Sequence, residues 1–151
     1  MEIIAITKTH PLWETARRFA AESGWPGGAF LAKQMGEDRF LPWERVFVVC
    51  DGGALCGFCS FTQYDEMPER YGYSPFIGCV YVDPSRRGNR LSEKMLLAAS
   101  RYAKTLGYES VYLMSGEQGL YEKYGFQKLG EFATIFGTFE SLFAKSTKDT
   151  D

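Results

Sequence analysis

Apolar residues recur along the chain with two different periods, and the changes between them mark out the elements. Ile3, Ile4 and Ile6 make Glu2 to Thr7 apolar enough for a first strand. Pro11 suits the first turn of a helix, and Leu12, Ala16, Phe19 and Ala20 fall on one face of it. Ser23-Gly24 and Pro26-Gly27-Gly28 break that pattern, so a second short helix is expected over Phe30 to Met35. The run Val46 to Cys50 predicts a strand over Arg45 to Cys50, which Asp51-Gly52-Gly53 folds back onto Leu55 to Phe61 as an antiparallel hairpin.

Phe76 to Val82 is a further strand. A long helix follows from about Arg90 to Leu106, with Leu91, Met95, Ala98, Ala99, Tyr102 and Leu106 on one stripe and Gly107 placed to stop it. Tyr108 to Met114 is again strand-like, and a short helix at Gly119 to Tyr124 leads to Phe126 to Glu131 and a last extended run from Thr134 to Phe143. The order is therefore β-αα-βββ-α-β-α-ββ. A right-handed helical crossover between parallel strands is expected for Phe76 to Met114, with antiparallel pairing elsewhere, which makes the class mixed α/β. No repeat or linker divides the chain: residues 1–144 read as one domain, and the polar residues 145–151 as a flexible C-terminal tail.

Composition narrows the function classes. With 45% apolar and 24% charged residues the chain is an ordinary globular sequence, and 12 Phe and 9 Tyr point to a large core or an aromatic-lined pocket. A formal net charge of −2 lacks the basic excess of a phosphate-backbone binder, which argues against nucleic acid as a partner. No apolar run approaches a membrane span, and Glu2, Lys8 and His10 stand where a signal peptide would be apolar; a soluble cytoplasmic protein with no membrane partner is expected. Cys56-Gly57-Phe58-Cys59 has the spacing of a redox or metal motif. It lies in a strand-like segment, however, where positions three apart face opposite ways, so reduced buried thiols and no metal are expected.

The chemistry concentrates in Val80-Tyr81-Val82-Asp83-Pro84-Ser85-Arg86-Arg87-Gly88-Asn89-Arg90-Leu91-Ser92, an apolar strand, a tight basic loop and a helix start. Backbone N–H groups at a helix N-terminus have no intrahelical acceptor and the dipole adds positive potential, so main chain alone can hold a diphosphate; Arg86, Arg87 and Arg90 reinforce it. Taken alone, the same residues also suit a solvated surface loop or a nucleoside diphosphate site, although neither GxxxxGK[ST] nor GxGxxG is present.

This segment resembles the acyl-CoA-binding motif of GNAT acetyltransferases, R/Q-x-x-G-x-G/A. Arg87 takes the first place, Arg90 stands where the motif has its internal glycine, and Ser92 where it has glycine or alanine. Gly119-Leu120-Tyr121-Glu122-Lys123-Tyr124-Gly125-Phe126 resembles the family's L-Y-E-K-x-G-F segment, while Met114 to Glu117 offers no counterpart of the asparagine that often contacts CoA upstream of it. The resemblance covers Phe76 to Phe126. It implies acetyl-CoA as co-substrate, splayed fourth and fifth strands that admit its pantetheine arm, main-chain pairing at Val80, Tyr81 and Val82, and a diphosphate held at Arg87, Gly88, Asn89, Arg90, Leu91 and Ser92.

The implied reaction is direct attack of a primary amine, from a small molecule or a peptide, on the thioester, with an oxyanion held by a strand N–H near Tyr81 and Tyr121 protonating the departing thiolate. Tyr121 would also contact CoA. The loop Gln63 to Tyr73 supplies Asp65, Glu66 and Glu69 as candidates for the base, with Glu66 placed in that role. Asp65 and Glu69 are assigned with Trp25 and Tyr64 to the acceptor, beside further tyrosines at 71 and 73. Ordinary loop solvation would account for the carboxylates equally well. The alternative from another class is a non-catalytic acyl-CoA-binding or sensing domain, which would not need Tyr121. Many relatives pair through exposed sheet edges, so the resemblance allows a homodimer.

Overall fold

The computed structural model describes residues 1–150. Strands β1 (Glu2–Ile6), β2 (Arg45–Asp51), β3 (Ala54–Thr62), β4 (Phe76–Val82), β5 (Ser110–Ser115), β6 (Gln127–Ala133) and β7 (Phe139–Ser146) are joined by helices α1 (Trp13–Ala21), α2 (Pro26–Gly36), α3 (Leu91–Thr105) and α4 (Leu120–Lys123), in the expected order. The strands form one mixed sheet of seven, in the order β1-β2-β3-β4-β5-β7-β6. β4 and β5 pair in parallel at Phe76↔Tyr112, while the β1–β2, β2–β3, β5–β7 and β6–β7 pairs are antiparallel. No helix among the described residues is long and apolar enough to cross a membrane. The chain forms two compact units, Met1–Phe61 with Cys79–Leu96 and Thr62–Gly78 with the residues from Leu97 onward, so that β4 begins in one and ends in the other.

In the first unit, Gly52 and Gly53 close the β2–β3 hairpin at φ 60 and 84, the left-handed pair that matches the twist of two joined strands. Ile6, Trp13, Ala16, Ala20, Leu31, Met35, Val46, Val48 and Phe58 make its core. α2 starts at Pro26 rather than near Phe30. The glycines that look like breakers are needed for contact: a Cβ on Gly27 would lie 2.5 Å from the Trp25 ring, and one on Gly28 2.5 Å from the Ala20 carbonyl. Gly57 serves a similar end in β3, since its Cβ would come within 2.9 Å of the Tyr81 carbonyl oxygen.

In the second unit Met67, Phe76, Met114 and Leu142 are buried together, flanked by Tyr71, Tyr73, Tyr112 and Phe132. β6 and β7 are joined through a turn in which the Thr134 N–H donates to the Thr138 carbonyl at 2.7 Å, with Gly137 at φ 83, so the last strand begins later than the expected extended run. Where a frayed tail is expected from Lys145, β7 runs on to Ser146 and a 3-10 turn covers Thr147–Thr150. The reason is a set of fixed partners: the Thr147 N–H donates to Glu109 O at 2.9 Å, its hydroxyl to Tyr108 O at 2.7 Å, and Arg101 Nε to Thr150 O at 2.8 Å.

Candidate active site

β4 changes conformation half-way along. Phe76, Ile77 and Gly78 are buried, whereas Cys79 adopts φ 50, the left-handed region that a side chain ordinarily avoids. Val80, Tyr81 and Val82 that follow are half-buried. Such a residue breaks the period of two and redirects the strand at the segment expected to supply main-chain partners. The Tyr81 ring stacks on Phe58 at 5.0 Å and on Trp25 at 5.9 Å. Trp25 takes part in this stack, and in the second unit Tyr71 and Tyr73 pack against Phe132 and Tyr112.

Beyond β4 the chain is tied down turn by turn. The Asp83 carboxylate accepts the Ser85 N–H at 2.9 Å and the Ser85 hydroxyl at 2.7 Å, which holds it below the usual carboxylate range. Arg86 pairs with Asp51 on the β2–β3 hairpin and lowers that carboxyl as well, so it serves the loop rather than an anion. Asn89 Nδ2 donates to the Arg86 carbonyl at 3.3 Å. Gly88 turns at φ 92 with nothing within 4 Å of where its Cβ would be, which leaves the backbone open to approach.

Arg90 sits at φ 57, so the glycine of the motif marks a left-handed turn and not the helical geometry expected of an arginine there. Its guanidinium is drawn onto Glu93 at 2.9 and 2.7 Å. Arg87 differs from both neighbours. It is exposed, lies 5.8 Å over the Tyr81 ring, and uses only Nε, on the Val82 carbonyl at 3.0 Å. Its two Nη groups carry no hydrogen bond among the described residues. Leu91 buries its side chain and Ser92 lies in the first turn of α3, so these positions can offer main-chain N–H groups at the helix N-terminus. The loop thus has the donors that a diphosphate requires, supplied by backbone and Arg87.

Tyr121, on α4, is buried, with Tyr124, Phe126 and Phe143 rings around it at 6.3, 6.1 and 5.6 Å. Leu120 and Tyr124 are half-buried. Gly119 and Gly125 bound this four-residue helix at φ 85 and 91. The Phe126 N–H returns to the Tyr121 carbonyl at 3.0 Å, and Lys145 Nζ donates to Tyr124 O at 3.0 Å. The ring is therefore fixed by packing on several sides.

The loop after β3 carries the other candidates. Asp65 lies with its carboxyl against Gly78: a Cβ on that glycine would meet Oδ2 at 2.5 Å. Desolvation pushes Asp65 up to about 6, although it accepts the Glu66 N–H, with Glu140 adding to the rise. Burial and a side-chain hydrogen bond with Glu140 push Glu66 up to about 9, so the two carboxyls share a proton at neutral pH. Oε2 of Glu140, on β7, is buried without a hydrogen-bond partner among the described residues. The Ile135 N–H donates to Glu66 O at 2.6 Å, which pins this loop to the turn before β7. Glu69 is exposed on a 3-10 turn, and the Tyr64 carbonyl accepts the Thr62 hydroxyl at 2.8 Å. Glu140 and Gly78 are absent from the sequence-based candidates; a glycine inside a strand was the available signal for the second.

The cysteines take no part. Cys56 and Cys59 are buried in β3, all four are free, and burial raises the Cys59 thiol to about 12. Among the described residues no group of three or more His, Cys, Asp or Glu is placed to hold a metal ion.

The model of the acetyltransferase (GNAT) family matches residues 10–126. No curated protein matches the sequence. Similar solved structures include the aminoglycoside 6'-N-acetyltransferase from Enterococcus faecium, with TM-score 0.72, 18% identity and 97% of each chain covered. An aminoglycoside 6'-N-acetyltransferase complexed with coenzyme A has TM-score 0.72 and 16% identity, again over 97% of each chain. Spermidine/spermine N-acetyltransferase from Vibrio cholerae has TM-score 0.66 and 14% identity, over 97% of this chain and 92% of that one. At these identities the structures establish a shared fold. The family match is the stronger finding, since it runs through both the basic loop and the Tyr121 helix, and by it the chain belongs to the acetyltransferase (GNAT) family.

Proposed function

We propose that this acetyltransferase moves the acetyl group of acetyl-CoA onto a primary amine by direct attack, with both substrates bound at once. The observation that carries the reading is Arg87, exposed at the start of a helix with its Nη groups uncommitted while Arg86 and Arg90 are held by Asp51 and Glu93. The CoA diphosphate would rest on Arg87 and the N–H groups of residues 88 to 92, and the pantetheine arm along the main chain of Val80 to Val82. Acetyl-CoA supplies the activated carbonyl carbon. Holding the amine beside it removes the entropic cost of a bimolecular encounter, and a β4 N–H near Tyr81 is aimed at the oxyanion.

Tyr121 protonates the sulfur as it leaves. A phenol of ordinary pKa near ~10 matches a thiol of similar acidity, so proton transfer is close to balanced. An amine acceptor is supported by the similar folds, two of which are named for N-acetylating an aminoglycoside and spermidine/spermine. Tyr121→Phe tests the assignment. Calorimetric affinity for acetyl-CoA should stay within about twofold while kcat falls roughly 100-fold, the lower end of general acid catalysis. Unchanged kcat with chemistry limiting the rate would remove Tyr121 from the reaction, and absence of acetyl-CoA binding by the folded protein would remove the reaction itself.

A further inference from the structure

We propose that Asp65, its carboxyl seated against Gly78 of β4 and backed by the hydrogen-bonded Glu66–Glu140 pair, is the group that takes the proton of the attacking amine. The inference rests on the reading above and specifies its missing member.

The geometry selects Asp65 from the three carboxylates of its loop. Glu69 is exposed, and its carboxylate has no hydrogen bond or ion pair among the described residues to orient it. Glu66 is turned to Glu140, and two carboxyl groups in hydrogen-bond contact must share a proton, because two adjacent anions in a desolvated site repel each other. The proton of that pair occupies the position that a base needs vacant. Asp65 is held by the Glu66 N–H and rests on a strand residue that has no side chain. Gly78 is buried and immediately precedes, in the chain, the left-handed Cys79 and the Val80–Val82 segment.

Glu140 then acquires a use. Its buried Oε2 has no partner among the described residues, and its charge contributes to raising Asp65. The groups that face Asp65 are thus Glu66 on its own loop and Glu140 from β7. Desolvation, with Glu140 adding to it and the Glu66 N–H opposing it, makes the carboxyl more basic than a solvated aspartate while leaving it ionised at neutral pH, near the optimum for a general base.

In the balanced step the amine nitrogen bonds to the acetyl carbon, the carbon–sulfur bond breaks, the nitrogen loses a proton to Asp65, and the sulfur receives one from Tyr121. Exchange with solvent returns Asp65 to the carboxylate and Tyr121 to the phenol, leaving amide and free CoA thiol. No oxidant, metal or covalent enzyme intermediate enters the balance.

The test is the pH profile of CoA release by the full chain, with spermidine and kanamycin as amine probes. The wild type should lose activity on the acid side with a midpoint near 6. Asp65→Asn, nearly isosteric against Gly78, should lower kcat roughly 100-fold and abolish that limb, with acetyl-CoA affinity unchanged. Glu140→Gln should move the limb to lower pH, a displacement that a purely structural role for Glu140 would not produce.

Wild-type rate and an intact limb in Asp65→Asn, or loss of the limb in Glu66→Gln instead, would overturn the assignment. If neither probe is turned over, carboxyl-carbon NMR of the acetyl-CoA complex decides. An Asp65 midpoint near 6 that falls in Glu140→Gln supports the proposal, and an ordinary aspartate midpoint of about 4 sinks it. Failure to bind acetyl-CoA would end the proposed function, whereas normal binding by an Asp65→Asn variant that stays active ends only this inference.

Discussion

The basic loop after β4 and the acidic loop after β3 treat their charges in opposite ways. Around the first, nearly every charge has an assigned counterpart: Asp83 on Ser85, Arg86 on Asp51, Arg90 on Glu93. In the second, Asp65, Glu66 and Glu140 are brought together, and the carboxyls of Asp65 and Glu66 are pushed upward instead of down. A loop that must present main-chain donors to a fixed anion gains from rigidity. A group that must exchange a proton in each turnover gains from being left uncompensated. The contrast therefore separates binding from proton transfer.

Two glycines allow that contrast to be broken from either side. Gly57 faces a backbone carbonyl at Tyr81, so Gly57→Ala should destabilise the protein by about 2 to 3 kcal/mol, the range for overpacking a rigid site, as read by urea denaturation. Gly78 faces only the end of the Asp65 side chain. Gly78→Ala should cost less than about 1 kcal/mol, because the carboxyl can rotate away, and should still disturb the acid limb of the rate profile. Equal losses of stability in the two variants would mean that both strands are equally confined.

A smaller effect sharpens the basic side. At Arg90 the left-handed backbone reverses the usual preference, so Arg90→Gly should be more stable than Arg90→Ala by about 1 kcal/mol. The reverse order would show that the turn relaxes without its arginine. The acidic side predicts the smallest change, a shallow slope of stability with pH. Asp65 has a folded pKa raised from 3.8 to about 6. Its contribution is complete below the unfolded value and is lost as pH rises through the folded one, so the melting temperature should decline between pH 4 and 7, and less steeply in Asp65→Asn, where only the raised Glu66 still contributes.

How much of this was legible in the sequence depended on the range of the interactions involved. Strand and helix order follows from local periodicity, and the element order came through intact from Ile3 to Phe143. The errors lie where a distant group decides. Gly27 and Gly28 read as breakers but are helical, because what they accommodate is the Trp25 ring and the Ala20 carbonyl. The supposed tail from Lys145 is held by Glu109, Tyr108 and Arg101, partners roughly forty or more positions away for two of those contacts.

The site divides in the same manner. Arg87 and Tyr121 were visible because contiguous motifs carry them. The raised Glu66 carboxyl was not, since it arises from burial and from Glu140 on another strand, a charged residue in an extended run with no local sign of its neighbour. The pairing of Arg86 was hidden for a similar reason, its counterpart Asp51 lying in an earlier hairpin.

Arg90 carries a consequence for how family signatures are read. The internal glycine of the acyl-CoA motif records a torsion angle, and the letter G is only its commonest spelling. A chain that reaches φ 57 with an arginine keeps the turn and loses the spelling. The family match runs through residues 10–126 with an arginine in that place, and its side chain is anchored one helical turn ahead on Glu93.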